Sequence, residues 1–266
     1  AYQHGAKRVL GKDAQQGSYL GPKYSSAEIE NYLQEKKYAY HKYENKKDLY
    51  EKIAEELSKE RVIGLFHDRM EFGPRALGNR SIIADARSES MQVKLNKKIK
   101  YRESFRPFAP SVLREDVAEY FELSDESPYM LLVENVREDR RETSQVQSDL
   151  KKYNQNMLEI VKQKRSDIPA VTHVDYSARI QTVTKDTNPY YYEILQAFKK
   201  RTGYSVIVNT SFNVRGEPIV CTFQNAYECF MRTDMDVLVL EDCILYKNEQ
   251  PKWEETVDWK SLFVLD

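Results

Sequence analysis

Four arginines, two glycines and a proline fall within residues 69–87, which read Arg-Met-Glu-Phe-Gly-Pro-Arg-Ala-Leu-Gly-Asn-Arg-Ser-Ile-Ile-Ala-Asp-Ala-Arg. Guanidinium groups carry forked, permanent positive charge suited to phosphate or carboxylate. Gly73 and Gly78 let the backbone turn sharply and approach a ligand, while Pro74 stiffens that approach. A loop selected only for solubility would mix its charges with Lys, Glu and Ser. This segment reads as an anion site.

Three more polar, turn-rich segments share that character: residues 100–110 (Lys-Tyr-Arg-Glu-Ser-Phe-Arg-Pro-Phe-Ala-Pro), 172–179 (Thr-His-Val-Asp-Tyr-Ser-Ala-Arg) and 209–218 (Asn-Thr-Ser-Phe-Asn-Val-Arg-Gly-Glu-Pro). The four offer Arg75, Arg80, Lys100, Arg102, Arg106, Arg179, Asn209, Ser211 and Asn213. Phosphate chemistry wants this set. Arg and Lys neutralise the charge that a transferring phosphoryl group spreads over its oxygens, and Asn and Ser fix its orientation. Backbone N–H groups freed by glycine turns can add to the cradle.

Each candidate also has a plain structural alternative. Arg75 and Arg80 could form buried ion pairs with Glu71 and Asp85, and Arg179 could pair with Asp175. Lys100, Arg102 and Arg106 could be a solvated helix end, and Asn209 and Ser211 could cap turns. His67 and His173 each stand alone without ligand spacing, so a core or hydrogen-bonding role is expected and no metal site. Asp68, Glu71, Asp85 and Asp175 are scattered, which leaves Mg²⁺ only a weak protein site.

The elements that must hold these segments are legible in outline. Residues 1–24 read as an extended lead-in, with Gly17, Gly21 and Pro22. Ser25 and Glu28 make a capping box before a helix bearing Ile29, Tyr32 and Leu33. A second helix carries Leu49, Ile53 and Leu57, and residues 62–66 form a buried strand that delivers the arginine-rich loop. Residues 81–84 are the next strand, and Met91, Leu95 and Ile99 mark a helix that Pro107 and Pro110 cannot continue. Residues 117–123 suggest a short helix and 129–136 a strand. Residues 137–168 are polar, either a solvated excursion or an amphipathic helix over about 149–164. Residues 170–175 and 178–183 are strand-like, Asn188-Pro189 opens a helix that Gly203 closes, and 204–208 is a buried strand. A helix over 223–232 precedes a strand over 237–246. The order favours an α+β fold, a twisted mixed sheet flanked by helices, over a doubly wound sheet.

A chain of 266 residues can bury a full core as one large domain or two small ones. Its net charge of -1 argues against a general nucleic-acid or membrane surface, although a local basic cleft remains open. No apolar run is long enough to span a bilayer, and the N-terminus has no signal-peptide core. Cys221, Cys229 and Cys243 are odd in number and make no Cys-x-x-Cys pair. Reduced thiols in a cytoplasmic protein are expected.

The four motifs, in their order, resemble the C-terminal region of carbamoyltransferases of the nodulation and antibiotic-tailoring type. The resemblance runs from about Tyr19 to Lys247 and rests on long, specific motifs. It implies a YrdC-like adenylate-forming domain over residues 25–248, between the lead-in of residues 1–24 and a C-terminal tail of 249–266. It further implies ATP and carbamoyl phosphate as substrates, Mg²⁺ carried with ATP, and carbamoyl adenylate as product, with loss of phosphate and pyrophosphate. A Kae1-like N-terminal half, which in the family passes the carbamoyl group to an acceptor hydroxyl, is the implied partner; the chain is then a fragment or one subunit of a split enzyme. Lys100 and Arg102 would hold phosphate groups, and Arg179 would clamp carbamoyl phosphate or the α-phosphate. Arg75, Arg80 and Arg106 would add to binding, and Asn209, Ser211 and Asn213 would orient nucleotide phosphates. Two departures stand out. Tyr176 occupies a position that is usually Gly, narrowing the pocket beside Arg179, and the 137–168 excursion is longer than usual. The alternative function is a non-catalytic nucleotide-binding or docking domain; a nucleic-acid module is not expected.

Overall fold

A computed structural model describes residue 13, residues 15–142 and residues 163–255. Among the described residues there are nine strands: β1 (His41–Lys42), β2 (Ile63–Phe66), β3 (Arg80–Asp85), β4 (Ala109–Leu113), β5 (Leu132–Asn135), β6 (Ser177–Val183), β7 (Val206–Ser211), β8 (Val237–Leu240) and β9 (Cys243–Tyr246). They form one sheet in the order β1-β9-β8-β2-β3-β7-β4-β6-β5. β2 runs parallel to β8 and β4 to β6, and the other neighbours are antiparallel. The helices among the described residues are α1 (Ser26–Glu35), α2 (Lys46–Ser58), α3 (Met91–Lys98), α4 (Val117–Tyr120), α5 (Pro189–Thr202) and α6 (Phe223–Arg232). The mixed α+β sheet expected from the sequence is what forms.

Alternation along the strands builds two cores, one on each face. Ile82, Ala84, Val206, Val208, Leu238 and Leu240 pack toward α1, α3 and α6. Their neighbours Ile83, Ile207, Val237 and Val239 pack toward α2 and α5. Buried on both sides, the central strands are held rigidly in register. The caps are as read: Ser25 and Glu28 complete the capping box of α1, Asn188 accepts from the Tyr191 N–H, and Gly203 ends α5 at φ 81°.

Four expectations are corrected. Residues 170–175 are not a strand, because Pro169 starts a 3-10 turn (Pro169–Val171). The chain then reverses tightly, with Tyr176 N–H donating to His173 O and His173 N–H to Ser177 O. The single strand of 237–246 is a hairpin, β8 turning into β9 at Glu241, whose φ is +53°. The central strand β4 was masked by Pro110. Its ladder with β6 begins at Ser111, one residue past the proline, so the missing N–H falls before that ladder. The helix suggested beyond residue 117 stops at Tyr120, and Phe121 bridges to Val136 instead. The amphipathic helix suggested near 149–164 lies almost wholly outside the described residues, as does the first half of the lead-in.

Tyr176 has φ +67°, a conformation that favours glycine. A tyrosine holds that backbone here, its ring 5.4 Å from the Arg141 guanidinium.

Candidate functional site

The four sequence motifs meet on the β3-β7-β4-β6 part of the sheet. Asn209 of β7 donates through Nδ2 to Ala76 O (3.2 Å) and to Gln181 Oε1 (2.8 Å). Gln181 of β6 donates through Nε2 to Leu77 O (2.8 Å), and Ser111 Oγ of β4 donates to Gln181 Oε1 (2.5 Å). This buried polar row ties the arginine-rich loop to three strands. Its members lie on the α2/α5 face, where apolar packing gives way to hydrogen bonding.

Glu71 shapes the loop from within. Its Oε1 accepts from the N–H groups of Leu77 (2.7 Å), Asn79 (2.7 Å) and Arg80 (3.2 Å). No ion pair with Arg75 or Arg80 is made, and Asp85 instead pairs with Arg87 at 2.6 Å. Gly78, at φ +114°, sits where a Cβ would lie 2.4 Å from the Tyr191 ring, so the turn admits no side chain.

Arg80 stands apart from the other candidates. It is fully buried, its guanidinium 3.5 Å above the Phe66 ring. Nη1 donates to His67 O (2.8 Å) and Asn79 O (2.9 Å), and Nη2 to Asp68 O (3.1 Å) and Pro22 O (3.2 Å). Burial pushes its pKa down to about 10. These donors hold the lead-in and the loop together, so Arg80 serves as their brace rather than as an open anion ligand.

Arg75 and Arg179 are the opposite case. Burial, and then the neighbouring Arg75 cation, push the Arg179 guanidinium below its usual pKa. Among the described residues neither arginine has a hydrogen bond or a carboxylate partner, and Arg179 Nε is buried without an acceptor. Asp175, the possible partner, accepts from Ser177 N–H (3.1 Å) and Ser177 Oγ (2.7 Å). Arg75 and Arg179, without counter-charge among the described residues and with the charge of Arg75 felt at Arg179, together favour an anion.

The third cluster continues from β7. Lys100 Nζ lies among Ser211 O (2.5 Å), Ser211 Oγ (3.2 Å), Asn213 O (2.9 Å) and Asn213 Oδ1 (2.7 Å). Burial pushes its pKa down to about 7. Lys100 thus secures the 209–218 loop with every donor it has. Arg102 Nε donates to Asn96 Oδ1 (2.6 Å), and burial followed by the Arg106 charge lowers its pKa to about 10. Arg106 and Arg215 share Glu103, at 3.0 and 3.6 Å. Three guanidinium groups around one carboxylate leave this corner basic. Two surface concavities lie off this row, one of about 540 Å³ beside Phe121 and Arg137, the other of about 700 Å³ beside Lys94 and Lys247.

His67 is 3% exposed and stacks on Tyr190 with ring centroids 4.0 Å apart. Burial pushes its pKa down to about 3, and the Arg80 charge adds to this. A histidine held neutral in the fold binds a proton more readily when unfolded. The unfolded state therefore takes up the extra proton between pH 6.5 and 3, and stability falls as pH drops through that window. We expect a loss of about 3 kcal/mol from this residue by pH 4, read by urea unfolding. A His67→Phe variant with the same acid slope as the parent would contradict it.

The family described as "Carbamoyltransferase C-terminus" matches residues 54–247. The chain belongs to that family. It is 52% identical over 268 residues to an uncharacterized Synechocystis protein, covering 100% of the chain and 43% of that protein. Nodulation protein NolO of Bradyrhizobium diazoefficiens is 40% identical over 218 residues, covering 81% of the chain and 35% of NolO. The 3'-hydroxymethylcephem-O-carbamoyltransferase of Streptomyces clavuligerus is 35% identical over 188 residues (70% of the chain, 31% of that enzyme). The chain therefore spans less than half the length of these relatives. The crystal structure of T. kodakarensis HypF aligns with a TM-score of 0.46 at 16% identity, over 76% of this chain and 21% of that one. No described helix is long and apolar enough to cross a membrane.

Within this carbamoyltransferase C-terminus domain, several working residues escaped the sequence reading. Gln181 alternates with Ser177 and Arg179 along one face of β6 while Ala178 and Ile180 line the other, and that polar face was its signal. Gln92 and Asn96, one turn apart on α3, hold the carbonyls of Phe105, Ser104 and Arg106 and so shape the loop that carries Arg102. Glu71 was visible, but as an ion-pair partner and not as an acceptor for backbone N–H groups.

Proposed function

We propose that this chain is the adenylate-forming part of an O-carbamoyltransferase. It takes carbamoyl phosphate and ATP, with Mg²⁺ entering on the triphosphate oxygens, which are its natural ligands. Water releases phosphate from carbamoyl phosphate; the carbamate oxygen then bonds to the α-phosphorus of ATP as its bond to pyrophosphate breaks. The products are phosphate, pyrophosphate and carbamoyl adenylate. The observation that carries this reading is the Arg75–Arg179 pair, without counter-charge among the described residues and flanked by the Asn209, Ser211 and Lys100 row. Arg179 and Arg75 would clamp the phosphate that changes partners, while Arg102 and Arg106 would meet the outer phosphates. Lys100, Ser211 and Asn213 would hold the loop around them. Catalysis then comes from positioning and charge neutralisation, with no covalent nucleophile.

A carbamoyl adenylate is labile in water, so its release into solvent would waste it. A Kae1-like half would receive it and supply the acceptor site. Leu20 and Phe72, 58% and 75% exposed, stand close to the loop and are candidate contacts for that half. The test is pyrophosphate release from ATP by the purified chain, which should require carbamoyl phosphate and proceed slowly. ATP binding with no carbamoyl-phosphate-dependent pyrophosphate would favour a docking role instead. Carbamoylation of a hydroxyl acceptor by the chain alone would show the division of labour to be wrong.

A further inference from the structure

Asn209 is 1% exposed, yet its Oδ1 has no hydrogen-bond partner. Its orientation is forced. Leu77 O and Ala76 O are carbonyls and can only accept. Gln181 must therefore turn Nε2 toward Leu77, which leaves Oε1 facing Asn209. Asn209 must then present Nδ2 to both Gln181 Oε1 and Ala76 O. Its Oδ1 is left as a bare acceptor. An ionised phosphate oxygen cannot donate to it, so the phosphate-orienting role expected for Asn209 does not suit that atom. It wants an N–H.

A second orphan of opposite kind stands nearby: Arg179 Nε is a buried donor without an acceptor. Ser111 pairs with Gln181, and Ala109 pairs with Asn209. Two residues back along both parallel strands, just before that ladder begins, Arg179 comes level with Ala109, on the same face as Gln181 and Asn209. Donor and acceptor thus flank Ala109, a small residue that is buried at the edge of the cluster it forms with Leu77 and Met130.

We propose that Asn209 Oδ1 and Arg179 Nε together read the carbamoyl group, the first accepting from its NH2 and the second donating to its carbonyl oxygen. This rests on carbamoyl phosphate being the ligand of this site. The amino edge of adenine also offers a donor beside an acceptor. The Arg75 cation next to Arg179, however, asks for negative charge within a few bonds of the amide, which carbamoyl phosphate has and that edge lacks. Asn209 is then a specificity residue.

Acetyl phosphate is the probe, because a methyl replaces the NH2 at nearly constant shape. We expect the chain to prefer carbamoyl over acetyl phosphate in kcat/KM for pyrophosphate release by at least about 10², since a buried acceptor left unpaired rejects the analogue. Asn209→Leu should shrink that preference to within about tenfold while leaving KM for ATP within about twofold. Asn209→Ala removes the same acceptor without adding bulk or charge and should shrink the preference likewise. If Asn209→Leu does not fold, judged by circular dichroism, Asn209→Ala decides alone, and a preference retained there overturns the proposal. So does a parent ratio near one, or an Asn209→Leu variant that still discriminates. A rise in KM for ATP at unchanged preference would assign Oδ1 to adenine instead. Absence of any carbamoyl-phosphate-dependent release in the parent would sink the site assignment itself, a result distinct from release without discrimination.

Discussion

Arg179→Ala should lower carbamoyl-phosphate-dependent pyrophosphate release by roughly 10²–10³, the usual cost of one preorganised charge clamp. The chain should lose no thermal stability in the exchange. Arg179 is half-buried beside Arg75 and has no acceptor or carboxylate among the described residues, so the fold without ligand gains nothing from its charge. Removing either cation relieves like-charge repulsion, and the unliganded melting point should hold or rise slightly. Arg75→Ala should behave alike with a smaller loss, since Arg75 lies on the loop while Arg179 is fixed in β6. Carbamoyl phosphate should raise the melting point of the parent and not of Arg179→Ala. Arg179→Lys restores the charge without the fork and should recover only part of the rate. Release near the parental rate in Arg179→Ala would refute the assignment, and equal losses of stability and activity would make the residue structural.

Much of the fold and most of the site's membership were legible in the chain, for different physical reasons. Strands buried on both faces show as short apolar runs, and β2, β3 and β7 were read that way. Helices announced themselves through caps: Ser25 with Glu28, and Asn188 with Pro189 and Gly203. β4 was hidden because Pro110 breaks the pattern at a point where the ladder with β6 has not begun. The four motifs named the residues that converge but not what each side chain does once there. Arg75, Arg80 and Arg179 look equivalent in sequence. Burial and partners separate them, since Arg80 meets four carbonyls while Arg179 meets another cation. Asn209 shows the same limit, because Gln181, 28 positions away, and the Ala76 carbonyl decide which end of its amide is free.

Arg80→Leu should destabilise the fold by roughly 3–5 kcal/mol, the largest stability effect expected of any candidate site residue. The guanidinium binds the carbonyls of Pro22, His67, Asp68 and Asn79, and it stacks on Phe66. Leucine fills part of the volume but leaves His67 O and Asp68 O without a donor, while Asn79 O keeps the His67 N–H and Pro22 O the Met70 N–H. Pro22 and Asp68 belong to segments with few other ties to the sheet, so the lead-in and the loop should loosen together. A drop of roughly 10 °C in melting temperature is expected for a domain of this size. Arg80→Lys can reach some of the carbonyls and should fall between the two. Activity would fall as well, because the loop carries Arg75, but stability is the deciding readout. A ligand-binding Arg80 would show raised KM values at unchanged stability. Arg80→Leu within about 1 kcal/mol of the parent in urea unfolding would remove the brace and return Arg80 to the ligand set.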